Sequence, residues 1–185
     1  MVTAPRTLFF SAALVVAPLL IWGPAAQALE LRSPQFTDGG SLGVAQVNSR
    51  CGGGNGSPAL TWSDAPAGTR SYALTVFDPD ANHGHGFWHW LMVDIPAAAL
   101  GLPPGAGSGT GLPAGASQVA NDFGDKGYDG PCPPAGSGPH HYEFTLYALG
   151  VDGVPRNPET RGAALPAFLK SHALATATLI GLYQR

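Results

Sequence analysis

The chain has 185 residues, 11% of them charged, a formal net charge of −3, and 26 Gly beside 18 Pro. That length suits one domain with its own core. The sparse, slightly acidic charge excludes a nucleic-acid binder, which needs a face of Lys and Arg.

Arg6 is the only charged side chain before Glu30. An apolar run follows from Leu8 to Trp22, and Ala26-Gln27-Ala28 then sets small residues at the spacing a signal peptidase reads. The run holds Pro18 and is 15 residues long, short of the roughly 20 that a spanning helix requires. The expectation is a signal peptide over 1–28, cleaved after Ala28, ahead of a single domain over 29–185. An uncleaved anchor is the competing reading. No Cys follows the cleavage site, which argues against a lipidated start. The product is expected in the periplasm or outside the cell, with no transmembrane span left after cleavage.

Leu31 to Val47 mixes short apolar pieces with turn residues, and Cys51 to Pro58 is a glycine-rich loop. Leu60 to Ser63 reads as a short strand. Ser71 to Phe77 carries residues suited to a pleated surface, Tyr72, Thr75, Val76 and Phe77. It stops at Asp78-Pro79-Asp80, because proline donates nothing to a ladder. Phe87 to Ile95, bounded by Gly86 and Pro96, is a second strand. Ala97 to Ala116 and Asn121 to Gly138 are loops, and His140 to Leu149 is a third strand. Asn157-Pro158 is able to cap and open a helix. Ala163 to Leu174 is the best helical stretch, with Pro166 placing its start near that residue. Ala177 to Tyr183 returns to extended structure. Strands, long loops and one terminal helix make the chain mainly β with little α.

Strand alternation constrains the polar residues. Phe87, His89, Leu91 and Val93 are expected on one face of the second strand, and Trp88, Trp90, Met92 and Asp94 on the other. His140, Tyr142, Phe144 and Leu146 share a face of the third strand, and Asp78 ends the first. An aspartate that accepts from one ring nitrogen of a histidine fixes its tautomer and raises its basicity. Two such histidines with a tyrosine hydroxyl would suit a phosphate or carboxylate; each histidine alone reads first as a satisfied core residue. Cys51 and Cys132 are the only cysteines. In an oxidising compartment an even count points to a disulfide; two separate buried thiols are the alternative. Gly39-Gly40-Ser41-Leu42-Gly43 matches a nucleophile elbow but lacks the strand and helix that motif needs. There is no metal cluster at ligand spacing and no activated serine.

Asn55-Gly56-Ser57-Pro58-Ala59-Leu60-Thr61-Trp62, Asp78-Pro79-Asp80-Ala81, Trp88-His89-Trp90-Leu91, Asn121-Asp122-Phe123-Gly124, Gly130-Pro131-Cys132-Pro133-Pro134 and Gly138-Pro139-His140-His141-Tyr142 follow one another in the chain. In that order they resemble the phosphatidylethanolamine-binding protein family, in its bacterial branch often called Raf kinase inhibitor-like. The resemblance implies a large antiparallel sheet packed with a smaller one, plus a few short C-terminal helices. It also implies a pocket for phosphate-like anions or phospholipid head groups. Carried over, that pocket uses Asp78, His89, Pro133, Pro134, His140 and Tyr142, with Asp80 and Trp88 close behind. His89 and His140 would donate to the anion, and the two prolines would form an apolar wall. Asn82 stands where the family usually has proline, His141 where it usually has arginine. The insert His83-Gly84-His85-Gly86 reads either as a metal site or as a flexible glycine loop, and no metal is assigned to it. The functional expectation is an exported binding protein that is not an enzyme and holds no cofactor. An envelope protein-interaction or inhibitor role is the alternative, and a hydrolase comes third.

Overall fold

A computed structural model describes residue 1 and residues 28–155 and 164–185. Apart from Met1 and Ala28, the expected signal peptide lies outside the described residues, as does the Asn157-Pro158 helix opening. Among the described residues no helix is long and apolar enough to cross a membrane.

The strands are β1 (Glu30–Arg32), β2 (Gly40–Ser41), β3 (Leu60–Ser63), β4 (Ser71–Asp78), β5 (Phe87–Pro96), β6 (Gly101–Leu102), β7 (Ser117–Val119), β8 (His140–Leu149) and β9 (Ala173–Tyr183). A single irregular turn, α1 (Ala81–Gly84), separates β4 from β5, and α2 (Ala164–His172) precedes β9. A six-stranded sheet runs in the order β2-β9-β8-β4-β5-β7, and a three-stranded sheet runs β1-β3-β6. Among the described residues only the β2–β9 pairing is parallel; the other ladders are antiparallel. The expected mainly β fold, a large sheet packed with a smaller one, is what forms.

Hydrophobic burial explains the layering. Leu31, Leu60, Trp62 and Leu102 of the small sheet share one cluster with Tyr72, Leu74, Val76, Trp90, Met92, Phe144 and Leu146 of the large one. On the other face of the large sheet, Ala73, Leu91, Val93 and Leu149 meet Leu165 and Leu169 of α2. β4 lies at the centre and is covered on both sides, whereas its neighbour β8 is fully buried on one face and only partly shielded on the other.

The structure departs from the sequence reading in three places. β1, β2 and β6 are short strands in or at the edge of segments expected to be irregular, and β7 lies between the two expected loops. The helix stops at His172 instead of Leu174, because Ala173 already pairs with Leu149 of β8. Most consequential is β5, where simple alternation fails. Val76 pairs with Trp90 but the next residue, Phe77, pairs with Trp88, so His89 is an extra residue in its strand. A second shift lies between Tyr72 and Leu74, opposite the stretch that contains Asp94 at φ 58°. Each bulge sets two successive side chains on one face. Trp88 thus packs with Leu91 and Val93 against the α2 layer, while Trp90 and Met92 enter the inter-sheet core.

Candidate functional site

The first bulge aims His89 into a cavity of about 620 Å³ at one end of the large sheet. Its ring sits 5.1 Å from Tyr142, 5.2 Å from Phe87 and 5.9 Å from Phe123, centroid to centroid. His89 Nδ1 lies 2.7 Å from the backbone oxygen of Asp129. A carbonyl only accepts, so Nδ1 carries the proton and Nε2 remains on the cavity side as an acceptor in the neutral ring. Burial pushes this imidazole below its ordinary value, against the pull of the Asp129 carbonyl and of the Asp78, Asp129 and Asp122 carboxylates. His89 is therefore neutral at pH 7, and the expected donation from it to an anion requires an added proton.

Asp78 closes β4 because its Oδ1 accepts from the backbone N–H of Asp80 at 2.9 Å and of Ala81 at 3.2 Å. Its Oδ2 accepts from His140 Nδ1 at 2.7 Å. Both residues are buried, Asp78 at 2% exposure and His140 at 6%. His140 Nε2 stands 3.1 Å from Ser137 Oγ. Two residues along the same face of β8, the Tyr142 hydroxyl is buried and makes no hydrogen bond among the described residues. Burial first, and the Asp78 carboxylate next, hold this phenol well above its ordinary range, so it remains a donor.

Asp80 sits at the rim. Its Oδ2 accepts from the backbone N–H of His141, and lies 2.8 Å from that residue's Nδ1. Desolvation works to raise this carboxyl, but the His141 bonds outweigh it and hold Asp80 below the usual range. His83 lines the cavity and His85 does not. Among the described residues no group of three His, Cys, Asp or Glu side chains could hold a metal.

One wall is the loop before β8. Cys132, Pro133 and Pro134 line the cavity, and Cys132 is disulfide-bonded to Cys51. The wall is further tied by Asn48 N–H to the Pro131 oxygen, by Arg185 Nε to the Pro133 oxygen, and by Gly136 N–H to the Arg185 oxygen. Phe123 completes the mouth, with the Arg50 guanidinium 4.9 Å above its ring. No Lys or Arg is among the described lining residues.

The structure thus brings together Asp78, Asp80, His89, Pro133, Pro134, His140 and Tyr142 from the expected set. Trp88 does not line the cavity; the bulge turns it away, 4.3 Å from the Phe77 ring. Sequence reasoning missed Asp129, whose carboxylate accepts from Asn48 Nδ2 and Asn121 Nδ2 and so fixes the carbonyl that holds His89. It also missed Ser137, which lies in a turn without periodicity; its position three residues before His140 was the available signal.

Comparison with known proteins agrees with this fold. A family model described as phosphatidylethanolamine-binding protein matches residues 32–184. The UPF0098 protein YbcL of Escherichia coli is 42% identical over 183 residues, covering 97% of this chain and 98% of the relative. The crystal structure of that E. coli protein, described as a new member of the mammalian PEBP family, superposes with a TM-score of 0.81 at 44% identity, over 86% of this chain and 99% of the other. LppC of Mycobacterium tuberculosis, provisionally named a lipoprotein, is 41% identical over 163 residues, 87% of this chain and 75% of the relative. Running through the same strands and loops that enclose the cavity, the family match makes this chain a member of the phosphatidylethanolamine-binding protein family.

Proposed function

We propose that the chain is an exported binding protein whose cavity takes a phosphate-like anion, free or as the head group of a phospholipid. The observation that carries this reading is the Tyr142 hydroxyl, a buried donor that completes no hydrogen bond among the described residues, although the Asp78 carboxylate acts on it. A buried polar group left unpaired is costly, and a ligand oxygen in the cavity would satisfy it. His89 Nε2 faces the same space as an acceptor. Without a lining Lys or Arg, the cavity favours an anion that brings its own proton or its own ammonium group. Asp80, with its side chain 40% exposed at the rim, suits that ammonium. Phe87, Phe123, Pro133 and Pro134 would enclose the linking carbons. Support for export comes from the Arg6, apolar-run and Ala26-Gln27-Ala28 pattern, and from the naming of LppC.

Calorimetric titration tests the reading. Phosphoethanolamine should bind saturably and more tightly than inorganic phosphate, and His89→Ala should weaken it at least about tenfold, as loss of a hydrogen bond to a charged group does. Failure of the folded protein to bind either ligand would reject the anion site. An intact mass beginning at Leu29 in the exported fraction would check the other half.

A further inference from the structure

The turn that leads into β8 places an exposed hydroxyl on a buried imidazole. Ser137 Oγ lies 3.1 Å from His140 Nε2, and His140 Nδ1 donates to Asp78 Oδ2 at 2.7 Å. Hydroxyl, imidazole and carboxylate are connected in the order of a nucleophile, its base and the group that orients the base. Both distances fall within the roughly 2.6–3.2 Å that such relays use. Asp78 is pinned by two backbone N–H groups, and its other oxygen takes the proton on His140 Nδ1; with only that proton on the ring, the Nε2 lone pair is turned toward Ser137. Ser137 lines the cavity and is open to solvent, whereas its two supports are shielded. Ser137 Oγ donates its proton to the Pro134 carbonyl at 2.9 Å, which holds the side chain in position, so the hydroxyl must turn from Pro134 to pass that proton to His140. The unpaired Tyr142 hydroxyl supplies a donor in the same cavity for a developing oxyanion. Phe87, Phe123, Pro133 and Pro134 give that cavity an apolar lining.

We infer that Ser137 is an acylatable nucleophile, with His140 as its general base and Asp78 as a positioning residue, acting on carboxylic esters that have an apolar acyl group. Ser137 Oγ forms a bond to the ester carbonyl carbon while its proton passes to His140 Nε2. The bond from that carbon to the leaving oxygen then breaks, and the leaving alkoxide takes the proton from His140. Water, deprotonated by His140, attacks the acyl-serine. The carboxylic acid departs, and the proton returns to Ser137 Oγ.

The test uses a fluorophosphonate, which a nucleophilic serine displaces by forming Oγ–P, breaking P–F and releasing fluoride. The full chain should acquire one adduct, located on Ser137 by peptide mass, and Ser137→Ala should acquire none. The same variant should lower turnover of p-nitrophenyl butyrate at least about a hundredfold, because without the hydroxyl no acyl-serine can form. Ser137 is an exposed turn residue, so a thermal unfolding curve suffices to confirm that the variant folds. In Asp78→Asn the labelling rate should fall about a thousandfold or more. It should then climb in proportion to hydroxide, because the imidazole no longer accepts the serine proton; a purely structural role would not alter the shape of that pH profile. Labelling elsewhere, no labelling of the folded protein, or equal ester turnover in Ser137→Ala would overturn the inference. Phosphate binding without labelling would defeat this inference alone, and labelling without phosphate binding would defeat the anion reading alone.

Discussion

Tyr142 is the residue whose energetics speak most directly about a missing partner. Its ring is buried in the inter-sheet core, yet its oxygen is desolvated without a hydrogen bond among the described residues. An unsatisfied buried hydroxyl costs about 1–3 kcal/mol. Tyr142→Phe should therefore raise the unfolding free energy of the empty protein by about 1 kcal/mol in urea denaturation. The same change should weaken phosphoethanolamine binding several-fold. Lower stability with unchanged affinity would place the hydroxyl in the core's service instead of the ligand's. Asp78, His140 and Tyr142 were legible in the sequence because a strand has period two and an Asp-Pro pair ends it. Asp129 was not. Its bond from Asn48 joins residues 81 apart, and neither position lies in a periodic segment.

At the scale of elements, the strands were readable and their irregularities were not. Alternation on β8 holds from His140 to Ala148. On β5 it breaks twice, because a bulge depends on what stands opposite in the neighbouring strand. Trp88 and His89 fit either face, so composition could not signal the break. The end of α2 is a similar case. Leu174 and Ala175 have good helix propensity, but pairing with β8 and a bond from Gly150 N–H to the His172 oxygen prevail. The cavity wall depends on one close approach that only glycine allows. A Cβ on Gly130 would stand 1.9 Å from the Gln46 oxygen and 2.8 Å from the Asn48 nitrogen. Both contacts are backbone, so no side chain can swing aside. Gly130→Ala should cost about 2–3 kcal/mol, in the range of overpacked cores. It should also weaken phosphate binding by displacing Asp129 and Cys132. Unchanged stability in thermal unfolding would mean that the wall can move as a unit.

For the molecule as a whole, one face of the large sheet is buried against the small sheet and part of the other against α2, and this burial was foreseeable from the apolar strands. The pairing of Cys51 with Cys132 was one of two open readings, and it is realised as a bridge between the loop after β2 and the cavity wall. Closing a loop between residues 81 apart stabilises by about 4 kcal/mol on the chain-entropy account. The Cys51→Ser/Cys132→Ser double variant should lose about that much in urea unfolding, while keeping its far-ultraviolet circular dichroism. Its affinity for phosphoethanolamine should fall further than that of a variant destabilised elsewhere to the same degree. Equal losses would assign the bridge to global stability alone. The strands are held by apolar burial, which is indifferent to oxidant, whereas the wall beside Pro133 and Pro134 is fastened by a bond that only an oxidant makes. Folding and full competence are thereby separated in time: a newly made chain is expected to complete its sheets first and to reach its full affinity for a ligand only once its thiols have been oxidised.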